Sequence, residues 1–176
     1  AVANAYDVYY KGSHRAKQLY NMAIASLQAE RQLKQPTLLE QAKEASLIDI
    51  SLPDIKGKQQ KLSDLKGKVV LLDFTAYQTD YSPEYNILLA KIYKQFRDKG
   101  FEIYQVSLDN NENFWKVSAS NLPWICVRDE ASIYSTVANL YNVKNLPSAF
   151  LIDRTGAIQK RIASIESISG EIQKLL

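Results

Sequence analysis

An apolar run, Val69–Phe74, constrains the fold of this chain more than any other feature. Only Asp73 interrupts it, and such a run is typical of a strand that is covered on both faces in an α/β sheet. Ser82 and Pro83 then supply a helix N-cap and a proline at the first helical position. The loop Thr75–Tyr81 therefore joins a central strand to a helix, at the place where open α/β sheets present reactive groups.

Strand and helix patterns alternate along the rest of the chain. Apolar residues at helical spacing follow over Pro83–Lys99 and again after Ser164. Further strands are predicted at Phe101–Leu108, Pro123–Val127, Pro147–Ile152 and Ala157–Ile162. One more helix is predicted to bury a face made of Ile133, Val137, Leu140 and Tyr141. This alternation predicts a mixed sheet between layers of helices.

Residues 1–46 precede the α/β pattern. The absence of proline and glycine from Ser13 to Leu33 predicts one long helix, and Pro36 begins a second, short one. We therefore divide the chain into an N-terminal helical extension, residues 1–46, and an α/β domain, residues 47–176. The extension packs on the domain or docks on a region upstream of Ala1, and its tyrosines are compatible with both arrangements.

Composition argues against several classes of function. The chain has 176 residues, with 22 basic and 19 acidic side chains that are interspersed rather than clustered. This pattern argues against a nucleic-acid partner. His14 is the only histidine, so neither a histidine metal site nor a catalytic triad is expected. No glycine-rich phosphate loop is present, and we predict neither a cofactor nor a metal.

Three ordered blocks carry a resemblance to a known family. They are Leu52–Phe74 with its Lys66-Gly67-Lys68 turn, Gly100–Asp109, and Tyr141–Gly156. Over about residues 47–176 the chain resembles the TlpA/ResA-like thioredoxin-fold proteins of the thioredoxin and AhpC/TSA superfamily. The resemblance implies a thioredoxin-like fold, thiol-disulfide oxidoreductase ancestry, and a place on the periplasmic side of the bacterial cell envelope.

The sequence departs from that family at its reactive motif, Trp-Cys-x-x-Cys. The tryptophan position falls on Gln78, and the motif reads Thr79-Asp80-Tyr81-Ser82, without either cysteine. A helix N-terminus contributes about 0.3–2 kcal/mol to an anion, whereas one pKa unit corresponds to about 1.4 kcal/mol. The helix therefore cannot turn a hydroxyl into an alkoxide, and a hydroxyl cannot form a disulfide. We predict a redox-inactive domain that is retained as a peptide-binding, protein-binding or structural module.

A binding face is also expected from the resemblance. Pro147 aligns with the family's cis-proline, which implies a cis Leu146–Pro147 bond and a groove where the backbone of Leu146 meets an extended peptide. Tyr77 and Tyr81 lie in the motif loop, and exposed tyrosines there suit an interface. Tyr85 is assigned to the core. These residues predict a peptide or protein partner at the former active-site face.

Cys126 is the only cysteine of the chain. It lies between Ile125 and Val127 in a predicted strand, which favours a buried, unreactive side chain. The alternative is an oxidoreductase or antioxidant that acts through Cys126 with an external thiol, by thiol-disulfide exchange or on peroxides. In the resembling enzymes a buried carboxylate near the motif assists proton transfer. Without a thiol, we expect Asp73 to be a hydrogen-bonded buried acid.

Overall fold

The structure is a computed structural model that describes residues 48–165 and 168–176. The predicted helical extension, residues 1–46, lies outside the described residues. All residues described below belong to one compact unit, residues 38–176.

Seven strands and four α-helices make up the described part of the chain. The strands are β1 (Ser51–Pro53), β2 (Gln59–Lys61), β3 (Val69–Thr75), β4 (Phe101–Ser107), β5 (Ile125–Arg128), β6 (Ser148–Ile152) and β7 (Ile158–Ile162). The helices are α1 (Ser82–Phe96), α2 (Glu112–Ala119), α3 (Thr136–Leu140) and α4 (Ile168–Leu175). Short 3-10 helices lie at Leu62–Leu65, Arg97–Lys99 and Ser132–Tyr134.

The main sheet has five strands in the order β5-β4-β3-β6-β7. Strands β3, β4 and β5 are parallel, whereas β6 and β7 are antiparallel to their neighbours. All seven residues of β3 are buried, as expected for a central strand covered on both faces. The structure thus confirms the predicted mixed sheet. Strands β1 and β2 form a separate hairpin that reaches β5 through a bridge between Asp54 and Val127.

Consecutive residues of β3 alternate between two cores, one on each face of the sheet. Leu71 packs with helices α1, α2 and α4, whereas Leu72 and Phe74 pack with α3 and the segment before β1. The alternation follows from the pleat, which directs successive side chains to opposite faces. Burial of each such side chain contributes about 1.5–3 kcal/mol, so this strand couples the two layers.

The predicted helix around Ile133 is divided in the structure. A 3-10 turn covers Ser132–Tyr134, and α3 begins only after Ser135, whose Oγ accepts a hydrogen bond from Ala138 N over 2.9 Å. This N-cap interrupts the helical repeat that the apolar spacing suggested. The assignment of Ile133 and Leu140 to a buried face was therefore wrong, since they are 81% and 40% exposed.

Helix α1 ends at Phe96, and the glycine predicted to end it closes the next element instead. The 3-10 turn Arg97–Lys99 follows α1, and Gly100 adopts φ 93°, a left-handed conformation that favours glycine. None of the helices in the described ranges is long and apolar enough to cross a bilayer.

Candidate functional site

The carboxyl ends of the three parallel strands meet at one edge of the sheet. Thr75 at the end of β3 pairs with Ser107 of β4, and Ser107 pairs with Arg128 of β5. The loop after β3 carries the degenerate motif, residues 79–82, and the loop after β4 carries Asp109. The motif therefore lies at the edge where α/β sheets present ligand-binding groups.

Helix α1 begins one residue earlier than the sequence predicted. Its N-cap is Tyr81, which makes no side-chain capping bond, and Ser82 is already the first helical residue. The assignment of Ser82 as N-cap was therefore wrong. Its Oγ instead accepts a hydrogen bond from Asn86 Nδ2 over 3.3 Å, and the residue is only 2% exposed.

The two hydroxyls that stand at the cysteine positions are occupied by local contacts. Thr79 Oγ1 donates to Ala76 O over 2.7 Å, and Ser82 Oγ contacts the Asn86 amide. A serine or threonine nucleophile needs a hydrogen-bonded general base, and neither hydroxyl bonds to a carboxylate or imidazole within the described residues. Neither Thr79 nor Ser82 is therefore an activated hydroxyl by the contacts of the described residues.

The motif loop is held by a buried carboxylate that the sequence analysis did not single out. Asp109 accepts hydrogen bonds from Tyr77 N at 2.8 Å, from Gln78 N at 3.0 Å and from Ser107 Oγ at 2.7 Å. The cap of the next helix is Asn111, whose Oδ1 accepts a hydrogen bond from Phe114 N at 3.0 Å. Asp109 fixes the start of the loop instead.

Asp73 lies on β3, two residues before the end of that strand, and is fully buried. Its Oδ1 accepts a hydrogen bond from the Tyr85 hydroxyl at 2.7 Å, and its Oδ2 accepts one from Gln105 Nε2 at 2.8 Å. Burial raises the pKa of Asp73 from 3.8 to about 6, because desolvation outweighs the two hydrogen bonds that favour the charged form. The expected hydrogen-bonded buried acid is present, and both of its donors are neutral.

Gln105 connects Asp73 to the surrounding side chains. Its Nε2 also donates to Asn86 Oδ1 at 3.1 Å, while its Oε1 accepts from the Tyr77 hydroxyl at 2.7 Å and from Trp124 Nε1 at 2.9 Å. Both donors and both acceptor sites of the amide are thus used. The sequence signal was a lone amide in the middle of the apolar strand β4, which we did not interpret.

Tyr77 is buried and Tyr81 is only partly exposed, which corrects the expectation of two exposed tyrosines in the loop. Tyr77 is only 5% exposed because its hydroxyl reaches the buried acceptor on Gln105. Tyr81 is half-buried, and its ring packs edge-on against Tyr85 at a centroid distance of 6.3 Å. Its hydroxyl oxygen is buried and has no hydrogen-bond partner in the part of the chain that the structure describes.

Cys126 is 7% exposed and lies in the core on one face of the sheet. Its Sγ is 3.9 Å from Gln105 Oε1, and burial raises the pKa of the thiol to about 12. The structure confirms the predicted buried cysteine. Within residues 48–165 and 168–176, histidine, cysteine and acidic side chains form no group of three that could hold a metal ion.

Pro147 borders the same edge of the sheet. The Leu146–Pro147 peptide bond is cis, as predicted. The next residue, Ser148, pairs with Phe74 at the end of β3, so the proline lies beside the start of the motif loop. Arg161 donates hydrogen bonds on both sides of this proline: Nη1 to Asn142 O at 3.1 Å and Nη2 to Ser148 Oγ at 2.9 Å.

Comparison with known proteins identifies the family to which the chain belongs. The AhpC/TSA family model matches residues 44–161. The chain belongs to the AhpC/TSA family. Among solved structures, a thioredoxin-like protein from Bacteroides vulgatus is 51% identical, with a TM-score of 0.69 over 74% of this chain and 86% of that one. A thiol-disulfide oxidoreductase from Bacteroides fragilis is 30% identical, with a TM-score of 0.68 over 75% and 100%.

Two relatives narrow the position of the chain within the AhpC/TSA family. Thiol-disulfide oxidoreductase ResA of Bacillus cereus is 30% identical over 129 residues, which are 69% of this chain and 72% of that protein. The ResA protein of Bacillus subtilis is 34% identical over 113 residues, 62% of this chain and 60% of that protein. The chain is thus of the TlpA/ResA type with a thioredoxin-like fold, as the sequence blocks suggested.

Proposed function

We propose that this AhpC/TSA-family domain is redox-inactive and binds a polypeptide segment at the face formed by residues 79–82 and Leu146–Pro147. One observation carries the proposal. Hydroxyl side chains, Thr79 and Ser82, stand at the two positions where the motif has cysteines, and the single cysteine of the chain, Cys126, is buried in the core. The scaffold of a thiol-disulfide oxidoreductase is present, and the reacting atoms are not.

The chemistry of the remaining cysteine supports this reading. Thiol-disulfide exchange begins with attack by a thiolate on an accessible disulfide sulfur. A thiol with a pKa of about 12 is ionised in only about one molecule in 100,000 at pH 7. An incoming disulfide also has to reach a side chain that is 7% exposed. These two barriers argue against the alternative in which Cys126 acts with an external thiol.

The binding half of the proposal is supported by how the loop is fixed. Asp109 holds the backbone at Tyr77 and Gln78, so the residues that follow are presented from an ordered loop. Gln78, Asp80 and Pro147 are exposed at this face. A preordered surface loses less conformational entropy on binding, which favours retention of a binding role after loss of the chemistry.

The reduction of insulin disulfides by dithiothreitol tests the proposal. We expect the wild-type chain and the Cys126→Ser variant to leave the rate at the background of the reagent. Acceleration by the wild-type chain that disappears in Cys126→Ser would contradict the proposal and establish an oxidoreductase that uses Cys126.

We also propose a location in the bacterial cell envelope, on its periplasmic side. The support is membership of the TlpA/ResA type and the bacterial origin of its ResA relatives. Fractionation of the source cells tests this: recovery with the periplasmic or membrane fraction is expected, and recovery with the cytosolic fraction contradicts it.

A further inference from the structure

Two large apolar side chains are exposed on the turn formed by residues 129–135, which follows β5 at the same edge of the sheet as the motif loop. Ile133 and Tyr134 are 81% and 79% exposed, the highest values among the large exposed apolar side chains of the described residues. The two residues are adjacent in the sequence and lie in the 3-10 segment of the turn. Large apolar side chains held this far into solvent are typical of interaction sites when they are clustered.

The 129–135 turn is ordered by buried polar contacts. Asp129 Oδ1 accepts from Ala131 N at 3.0 Å, and its Oδ2 accepts from Ser135 Oγ at 2.6 Å. Ser132 adopts φ 51°, an unusual conformation for a residue other than glycine, and its Oγ donates to Leu108 O at 2.6 Å. The exposure of Ile133 and Tyr134 is therefore built into the turn.

The same strand end holds this turn and the motif loop. Ser132 binds Leu108 O, Leu108 N donates to Thr75 O at 2.9 Å, and the next residue, Asp109, holds the motif loop at Tyr77. These bonds join the loops after β3, β4 and β5 at one edge. The motif loop and the turn that carries Ile133 and Tyr134 are therefore held by the same strand end.

The charges at this edge indicate the chemistry of the partner. Asp80, Glu84 and Glu130 are exposed, and none of them forms an ion pair or hydrogen bond within residues 48–165 and 168–176. Arg128 is directed to backbone carbonyls, and Lys144 is an exposed cation in the segment before Pro147. The excess of unpaired carboxylates favours a partner that carries lysine or arginine.

We propose that Ile133 and Tyr134 bind an apolar side chain of an extended polypeptide segment from another protein, and that its lysine or arginine side chains meet Asp80, Glu84 and Glu130. This inference rests on the binding role proposed above and names the partner's chemistry. A second copy of this chain fits less well, because a two-fold interface through this edge brings like carboxylates together.

Fluorescence anisotropy with synthetic peptides tests the inference on the full chain. Each peptide has a central Leu-Phe pair flanked by lysines, by glutamates or by serines. We expect the lysine-flanked peptide to bind at least about tenfold more tightly than the glutamate-flanked one. Added salt should weaken binding of the lysine-flanked peptide. The double variant Ile133→Ser/Tyr134→Ser should weaken that binding by about tenfold or more.

Matched variants separate a specific site from a generally adhesive surface. Val117 is 70% exposed on α2, so Val117→Ser removes a comparable side chain elsewhere and should leave affinity within about twofold. Glu130→Lys should lower the affinity for the lysine-flanked peptide and leave the affinity for the serine-flanked peptide unchanged. The thermal unfolding of each variant confirms that it is folded.

Several outcomes would overturn the inference. They are no binding of any peptide, no preference between lysine and glutamate flanks, equal losses in Val117→Ser and in the double variant, or a dimer that the double variant dissociates. Binding that Asp80→Lys abolishes while the double variant leaves it intact would refute this inference and preserve the proposed motif face. Failure of the redox proposal is seen separately, in the insulin assay.

Discussion

The hydroxyl of Tyr85 on α1 donates a hydrogen bond to Asp73 Oδ1 on β3 over 2.7 Å, between the two elements that flank the motif loop. Gln105 Nε2 binds the other carboxylate oxygen, so both oxygens of this fully buried acid have neutral donors. A buried carboxylate depends strongly on such partners, because no other side chain in the described part of the chain bonds to it and offsets its desolvation. The contact between Tyr85 and Asp73 therefore links the stability of the domain to the two elements on either side of the motif loop.

Tyr85→Phe should lower the free energy of unfolding by about 1–3 kcal/mol at pH 7, because it leaves a charged acceptor without its donor. Tyr81→Phe is the matched control. It removes a buried hydroxyl that has no partner among the described residues, and should leave stability unchanged or raise it by up to about 1 kcal/mol. Urea denaturation measures both, and equal losses in the two variants would refute the role of the Tyr85 bond.

Asp73 should also make stability depend on pH. Its pKa is raised from 3.8 to about 6, so the folded state takes up a proton before the unfolded state does. Above pH 6 the charged, buried Asp73 lowers the free energy of unfolding. This loss is recovered as the pH falls from about 6 towards 3.8, by up to about 3 kcal/mol. Carboxylates with lowered pKa, such as Asp54 and Asp153, lose their contributions only below about pH 4.

The measurement for Asp73 is the difference in unfolding free energy between the wild-type chain and Asp73→Asn at pH 7 and pH 5. The wild-type chain should gain stability relative to the variant at the lower pH. Contributions that the two proteins share cancel in this difference. A difference that does not change with pH would show that Asp73 does not have a raised pKa.

Gln105→Met should be among the most destabilising substitutions in the domain. It leaves Asp73 Oδ2, the Tyr77 hydroxyl and Trp124 Nε1 without their partners, at a cost of about 3 kcal/mol or more. Gln95→Met, at an exposed position on α1, is the matched control and should change the free energy of unfolding by less than about 0.5 kcal/mol. Similar urea midpoints for the two variants would contradict the assigned role of Gln105.

Cys126 should be unreactive in the folded chain. Its burial and a pKa of about 12 predict no titration by Ellman's reagent at pH 8 in native buffer, and one thiol per chain in denaturing guanidinium. Rapid native titration would reopen the alternative in which Cys126 is catalytic.

The fold was predictable where a pattern is local and repeated. The run Val69–Phe74 indicated a central strand from its composition alone, and Gly100 marked the end of the helical segment formed by α1 and its 3-10 turn. Ile133 was misassigned because apolar spacing does not show where Ser135 will cap a helix. A side-chain cap competes with helical spacing, and the outcome depends on the local backbone.

The site was predictable only in part, because its contacts are long-range. The missing cysteines are read from the sequence, but the burial of Tyr77 depends on Gln105, a residue of another strand. The same holds for Asp109, whose carboxylate reaches back to the loop after β3. Such pairs are set by the register between β3 and β4, which the sequence pattern of either strand does not specify.

The most direct test of the central claim restores the absent sulfurs. The variant Thr79→Cys/Ser82→Cys places two thiols at the start of a 15-residue helix, where a lowered thiol pKa is expected. Its dithiol can reduce an insulin disulfide, become a disulfide itself and be regenerated by dithiothreitol. We predict that it accelerates insulin reduction by about tenfold or more over the wild-type chain, which stays at background. A wild-type chain that reduces insulin as fast as the variant would contradict the account.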